Sequence, residues 1–154
     1  MRVTVIADAS HCPDTGAAGY GYWAVSERGR QGGGGPIKNP LCNSTAAEMA
    51  ALVNGLYFAI ASGIAERGDH VLLQTDCTGA IAALESKRKE LSIDERAAKA
   101  QFFELKKAHG VTVSFRHVKG HTSRTEARYV TNNLCDQRAK TGMRLARKRI
   151  KEAS

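Results

Sequence analysis

Two acidic residues follow apolar segments that are typical of buried β-strands. Asp8 comes directly after the run 3–7, and Asp76 comes directly after the run 71–75. In an open α/β sheet, binding and catalytic sites form beyond the carboxyl ends of parallel strands. If these two strands pair, we expect the two carboxylates to be neighbours.

Two further acids are expected to reach the same edge from helices. Glu48 falls in the first turn of a helix predicted to begin at Thr45, and Asp136 lies near the start of a last helix predicted from Leu134. Carboxylates within about 4–6 Å of one another raise each other's pKa, and a bound cation removes that cost. Oxygen ligands suit Mg²⁺ or Mn²⁺ rather than zinc. We therefore predict a site for divalent ions formed by all four acids.

Such a site would hydrolyse a phosphodiester, because two ions about 3.5–4 Å apart can activate a water, clamp a phosphate and stabilise the leaving oxygen. A formal charge of +8 and an isoelectric point near 9.6 favour a polyanionic partner, nucleic acid before a membrane surface. The alternative is that the lysines and arginines only keep the surface solvated.

Length and composition fit one globular domain covering residues 1–154, with 42% hydrophobic and 25% charged residues. The sequence has no run of about 18 apolar residues and no signal-peptide pattern, so we expect a cytoplasmic protein without a membrane contact. Four cysteines lie far apart without a CxxC pair, which favours free thiols over a zinc site or a redox motif.

The order of predicted elements indicates a mixed α/β sheet with helices on its faces. Three strands come first, and Gly32–Gly35 is predicted to be a weak edge strand rather than a phosphate loop, because no Gly-Lys-Ser/Thr ending follows. A helix, a strand, two helices, a strand and a basic final helix complete the chain. The helices after the first strands are predicted over 78–84, 94–108 and from 134 onward, and the last strand over 111–115.

The order and spacing of these residues resemble the ribonuclease H family over nearly the whole chain. The resemblance is carried by Asp8, by "NSTAAEMAAL" around Glu48, by "TDC" at 75–77, by "VKGHT" at 118–122 and by "NNLCD" ending in Asp136. It implies a ribonuclease H-like fold, a five-stranded sheet of order 3-2-1-4-5 flanked by helices.

The resemblance also implies a function. A monomeric endonuclease would hydrolyse the RNA strand of RNA–DNA hybrids with two Mg²⁺ ions, Mn²⁺ being a possible substitute, and leave 5′-phosphate and 3′-hydroxyl ends. Asp8, Glu48, Asp76 and Asp136 would be the ligands, and His121 would assist proton transfer or product departure. By the same resemblance, contacts to the substrate are expected from Asn43, Ser44, Thr45, Thr78 and Asn132.

The sequence also departs from the family pattern. Ala9 and Cys77 follow Asp8 and Asp76 in place of the commoner glycine and serine, and the segment from His121 to Asn132 is longer than in familiar members. The basic handle that some members use to grip the hybrid is missing. We therefore expect phosphate contacts from the C-terminal cations, which are Arg144, Arg147, Lys148, Arg149 and Lys151. Alternative functions are a DNA nuclease or junction resolvase of the same fold, and a catalytically silent nucleic-acid-binding module.

Overall fold

A five-stranded mixed sheet organises the computed structural model, which describes residues 1–118 and 127–153, with only the backbone described at 127–130. The strand order is β3-β2-β1-β4-β5, as the sequence predicts. β1 is antiparallel to β2, β2 is antiparallel to β3, and β1, β4 and β5 are parallel. In chain order the elements are β1 Arg2–His11, β2 Ala18–Ser26, β3 Gly29–Pro36, α1 Ser44–Ala61, β4 His70–Thr75, α2 Thr78–Leu84, α3 Ile93–His109, β5 Thr112–His117 and α4 Ala127–Ala153.

Three predicted positions are wrong, besides shifts of one or two residues at the ends of α1, α3 and β5. β1 does not end before Asp8 but continues to His11, because its other edge stays paired with β2 up to Ala18. Glu48 is the fifth residue of α1 and so lies beyond the first turn. α4 begins at Ala127, seven residues before the predicted start, because Arg128 and the polar run 131–133 interrupt the apolar pattern there.

One face of the sheet is covered by α1 and carries the main core. Asn43 begins this helix, since its side-chain Oδ1 accepts a hydrogen bond of 2.7 Å from the Ala46 amide. Met49, Leu52 and Leu56 point to the sheet and are fully buried. This helix is long and apolar enough to cross a membrane, with a mean hydropathy of 1.2, but its apolar residues are explained by packing inside the protein.

The opposite face of the sheet is covered by α4, and small residues let the helix backbone come unusually close. A Cβ added at Gly21 of β2 would overlap the backbone carbonyl of Cys135 in α4. A Cβ added at Gly142 of α4 would in turn overlap the carbonyl of Gly35 in β3. The glycines of β2 and β3 therefore form the surface on which α4 lies, which gives the predicted weak edge strand a packing role.

Replacing Gly21 by alanine is expected to destabilise the protein, because a methyl group there meets the backbone of α4 rather than a flexible side chain. We expect a loss of about 1–3 kcal/mol in the free energy of unfolding, measured by urea denaturation. Gly35→Ala is the matched control, since a Cβ at Gly35 would make only ordinary contacts with the ring of Tyr20. Equal stability of the two variants would contradict the close packing of α4 on β2.

Candidate active site

The register of two parallel strands places Asp8 beside Asp76. β1 and β4 pair from Arg2 and His70 to Ile6 and Gln74, and no pair follows. Each acid is the second residue after the last pair of its own strand. Beyond that point β1 remains paired with β2, and β4 with β5. A space thus opens between the two strands, and both acids border it.

Glu48 reaches this space from α1. Its Oε1 accepts a hydrogen bond of 3.3 Å from the backbone amide of Ala9, and the same amide lies 2.9 Å from Asp8 Oδ1. One carboxylate oxygen from each of Asp8, Glu48 and Asp76 lies within 4.8 Å of the others. The structure therefore brings three of the four predicted ligands into one cluster.

Asp136 joins the cluster from the third turn of α4. Its carboxyl group is close enough to that of Asp8 for a hydrogen bond if one of them carries a proton. On its other side, Lys140 Nζ lies 3.0 Å from Asp136 Oδ2. Sequence reasoning missed Lys140, although the spacing of four residues between an acid and a lysine on a helix signals such a pair.

The cluster concentrates negative charge in a buried place. Burial raises the pKa of Asp8 well above its usual value, and the charges of Asp76 and Asp136 raise it further. Burial also raises the pKa of Glu48, and the charges of Asp8 and Asp76 add to the effect. No hydrogen-bond donor in the described part of the chain reaches Asp8 Oδ2 or Glu48 Oε2, and both atoms are buried.

These features fit a site for hard divalent cations. The converging ligand atoms are all carboxylate oxygens, which Mg²⁺ and Mn²⁺ prefer. A cation would also supply the positive charge that two buried oxygens lack, and so lower the cost of keeping them ionised. Asp8, Glu48 and Asp76 are the residues that would hold it, with Asp136 at the side of Asp8.

The predicted substrate-binding residues flank this cluster on the α1 side. Asn43 caps α1, Ser44 is exposed, and the half-buried side chain of Thr45 lies on the side of Gly79 where a Cβ would point. Thr78, the first residue of α2, is exposed. Thr45 and Thr78 therefore belong to adjoining helix starts, on a surface that continues from the acids.

Of the remaining predicted site residues, the structure describes Asn132 but not His121. Asn132 lies one turn before Asp136 on α4 but is only 1% exposed, and its Oδ1 has no hydrogen-bond partner within the described residues. It offers a buried acceptor rather than a surface contact. His121 lies outside the described residues, and its role stays a prediction.

A family model described as RNase H matches residues 1–144 of the chain. The chain belongs to the ribonuclease H family. This assignment is consistent with the sheet order and with the converging acids, and it confirms the resemblance seen in the sequence. A comparison with curated protein sequences found no match.

Solved structures of ribonucleases H have the same fold. RNase H1 from the halophilic archaeon Halobacterium salinarum is 22% identical, with a TM-score of 0.71 over 95% of this chain and 100% of its own. The N-terminal RNase H domain of Rv2228c from Mycobacterium tuberculosis is 19% identical, with a TM-score of 0.71 over 96% of each chain. LC11-RNase H1, isolated from compost and solved in complex with an RNA/DNA hybrid, is 15% identical, with a TM-score of 0.74 over 94% of this chain and 98% of its own.

The raised carboxyl pKa values predict that the metal-free protein loses stability as the pH rises. The folded protein keeps protons that the unfolded chain releases above about pH 4, so folding becomes less favourable from there upward. Asp8→Asn removes part of this cost. At pH 8 without divalent ions, we expect its thermal midpoint to exceed the wild-type midpoint by about 3–6 °C, or about 1–2 kcal/mol, with a smaller difference at pH 5.

Adding Mg²⁺ should raise the midpoint of the wild type and leave that of Asp8→Asn nearly unchanged, since a ligand of the folded state stabilises it. Glu104→Gln removes an exposed acid from α3 and is the control for the loss of one negative charge. A wild type that is insensitive to Mg²⁺ would contradict the assignment of the cluster as a cation site.

Proposed function

We propose that this protein is an endonuclease that hydrolyses the RNA strand of RNA–DNA hybrids. The observation that carries the proposal is the meeting of Asp8, Glu48 and Asp76 within 4.8 Å, with Asp136 beside them, in a chain of the ribonuclease H family. The structure of LC11-RNase H1 with an RNA/DNA hybrid supports the choice of substrate. The positive charge of the chain is consistent with a nucleic-acid partner.

In this proposal the four acids hold two Mg²⁺ ions, for which Mn²⁺ can substitute. Bound ions would supply Lewis acidity and a nucleophilic water, so that cleavage leaves 5′-phosphate and 3′-hydroxyl ends. Lys140 keeps the carboxylate of Asp136 oriented through their ion pair. The amide of Ala9 does the same for Glu48 and Asp8. His121 is proposed to assist proton transfer or product departure, in keeping with the titration range of histidine.

Recognition of RNA requires contacts to the 2′-hydroxyl, which lies in the shallow minor groove. The segment of Asn43, Ser44 and Thr45 and the exposed Thr78 are proposed to supply them, because small polar side chains border the acids there. Asn132 is proposed to orient a group inside the site. We further propose a monomeric protein that acts in the cytoplasm.

Asp76→Asn is expected to lower the rate of Mg²⁺-dependent cleavage at least about a hundredfold, the size of effect typical of losing one group that stabilises transition-state charge. The substrates are one sequence prepared as an RNA–DNA hybrid, as a DNA duplex and as a four-way DNA junction. Folding of the variant is checked by circular dichroism. Near-normal cleavage by the variant would reject the metal assignment, and wild-type cleavage of only the DNA substrates would establish the alternative nuclease.

The C-terminal cations are proposed to contact phosphates of the hybrid. Deleting this end of α4 is a poor test, because the same segment contains Ala146 and Ile150, which pack with Cys12 and Ala17. We therefore choose the exposed pair Arg144→Gln and Lys148→Gln. The slope of log affinity against log salt concentration should fall by about 0.7–0.9 for each phosphate that the double variant no longer binds.

The matched control removes two exposed arginines at the other end of the sheet. Arg2 is the first residue of β1, and Arg30 is the second residue of β3. Its salt slope should match that of the wild type. If both double variants lower the slope equally, the effect comes from the overall charge of the protein and not from contacts made by the end of α4.

A further inference from the structure

A buried acid lies outside the acid cluster, at the start of α3. Glu95 is only 3% exposed, and the neighbours that its carboxylate contacts are hydrogen-bond donors. Oε1 accepts from the backbone amide of Ser92 at 3.1 Å and from Asn43 Nδ2 at 3.4 Å, while Oε2 accepts from Arg88 at 2.6 Å. The pairing with Ser92 is an ordinary capping box. The bonds to Arg88 and Asn43 are not needed for capping.

A second bond ties the same two parts of the protein together. Asp94, the neighbour of Glu95, accepts a hydrogen bond of 2.8 Å from the backbone amide of Cys42. Both acids in the first turn of α3 therefore hold residues 42–43, which lead directly into α1. The link to Arg88 extends this network into the connection between α2 and α3, residues 85–92.

The network fixes the side chain of Asn43, which makes hydrogen bonds through both its oxygen and its nitrogen. Asn43 uses Oδ1 to cap α1 through the Ala46 amide at 2.7 Å, while Glu95 holds its Nδ2. With both ends of the amide engaged, the side chain has one orientation, and Ser44 and Thr45 follow it in sequence. Arg88 in turn holds Glu95 by a charge-assisted bond, which is roughly twice as strong as a neutral one.

We infer that Arg88 and Glu95, assisted by Asp94, are positioning residues for recognition of the RNA strand. They hold the segment of Asn43, Ser44 and Thr45, for which contacts to the 2′-hydroxyl are proposed, against the first turn of α3. This inference rests on the proposed function. It assigns a role to residues that belong neither to the acid cluster nor to the family motifs quoted above.

The test compares Arg88→Met, Glu95→Gln and the double variant. Glutamine can keep Oε1 as acceptor for Ser92 and Asn43, but it turns an amide NH₂ toward Arg88, so both single changes break the same link. We expect each to raise the KM for the hybrid about fivefold, the ratio for loss of one ordinary hydrogen bond between the segment 43–45 and the hybrid. The double variant should be no worse than either, and kcat should change less than about twofold.

Two controls accompany these variants. Arg88→Lys keeps a cation near Glu95 and should restore most of the affinity. Arg96→Met removes an exposed arginine from the next position of α3 and should leave KM unchanged. Preference for the hybrid over a DNA duplex, measured as a ratio of affinities, should fall in the variants in which KM rises. Hydrogen exchange of the Ala46 amide, which Asn43 caps, should become faster.

The two single variants also separate positioning from direct contact. If Arg88 only bound a phosphate, Arg88→Met would raise KM, but Glu95→Gln would release the cation and lower it. Opposite shifts, or an unchanged KM in both variants, would overturn the inference while leaving the proposed function intact. Wild-type protein that fails to cleave the hybrid would overturn the proposed function and this inference together, and that result appears before any variant is made.

Discussion

The parallel pairing of β1 with β4 is the constraint on which the site depends. Because the pairing ends at Ile6 and Gln74, residues two positions further on come to lie side by side, and both are aspartates. Glu48 and Asp136 approach from helices on opposite faces of the sheet. The fold thus brings like charges into a partly buried space, where water offsets their repulsion only in part. A shared divalent cation would keep all four ionised, and in the proposed function it would also supply the chemistry.

The arrangement requires both helices to be held firmly against the sheet. α1 is held by a conventional apolar surface of Met49, Leu52 and Leu56. α4 is held differently, since glycines in β2 and β3 let its backbone approach the strands directly. Such close packing leaves little freedom for the helix to shift. The position of Asp136 relative to Asp8 is therefore fixed by backbone contacts, and the ion pair with Lys140 on the same helix orients the carboxylate of Asp136.

Much of this structure could be predicted from the sequence, and the reasons are local. The apolar runs before Asp8 and Asp76 identified two strands, and the three- and four-residue spacing of apolar residues identified α1. The early start of α4 was not predicted, because Arg128 and the polar run 131–133 interrupt the apolar pattern and follow a long polar segment. The end of β1 was misplaced because its extension depends on pairing with β2, which is a tertiary contact.

In the site, too, local patterns could be predicted from the sequence, whereas tertiary contacts could not. The four acids were recognised from their order along the chain, whereas the contact of Glu95 with Asn43 joins residues 52 positions apart. Nothing in either local sequence indicates that contact. The role of the glycines was likewise hidden, because a run of glycines says that a backbone can approach closely but not which element does so.

Anomalous diffraction at the manganese edge, from crystals soaked in Mn²⁺, would show directly whether the clustered acids bind a divalent cation. We expect manganese within bonding distance of carboxylate oxygens of Asp8, Glu48 and Asp76, with no such density in Asp8→Asn crystals. Manganese bound only elsewhere on the wild-type protein, with these carboxylates unchanged, would contradict the assignment.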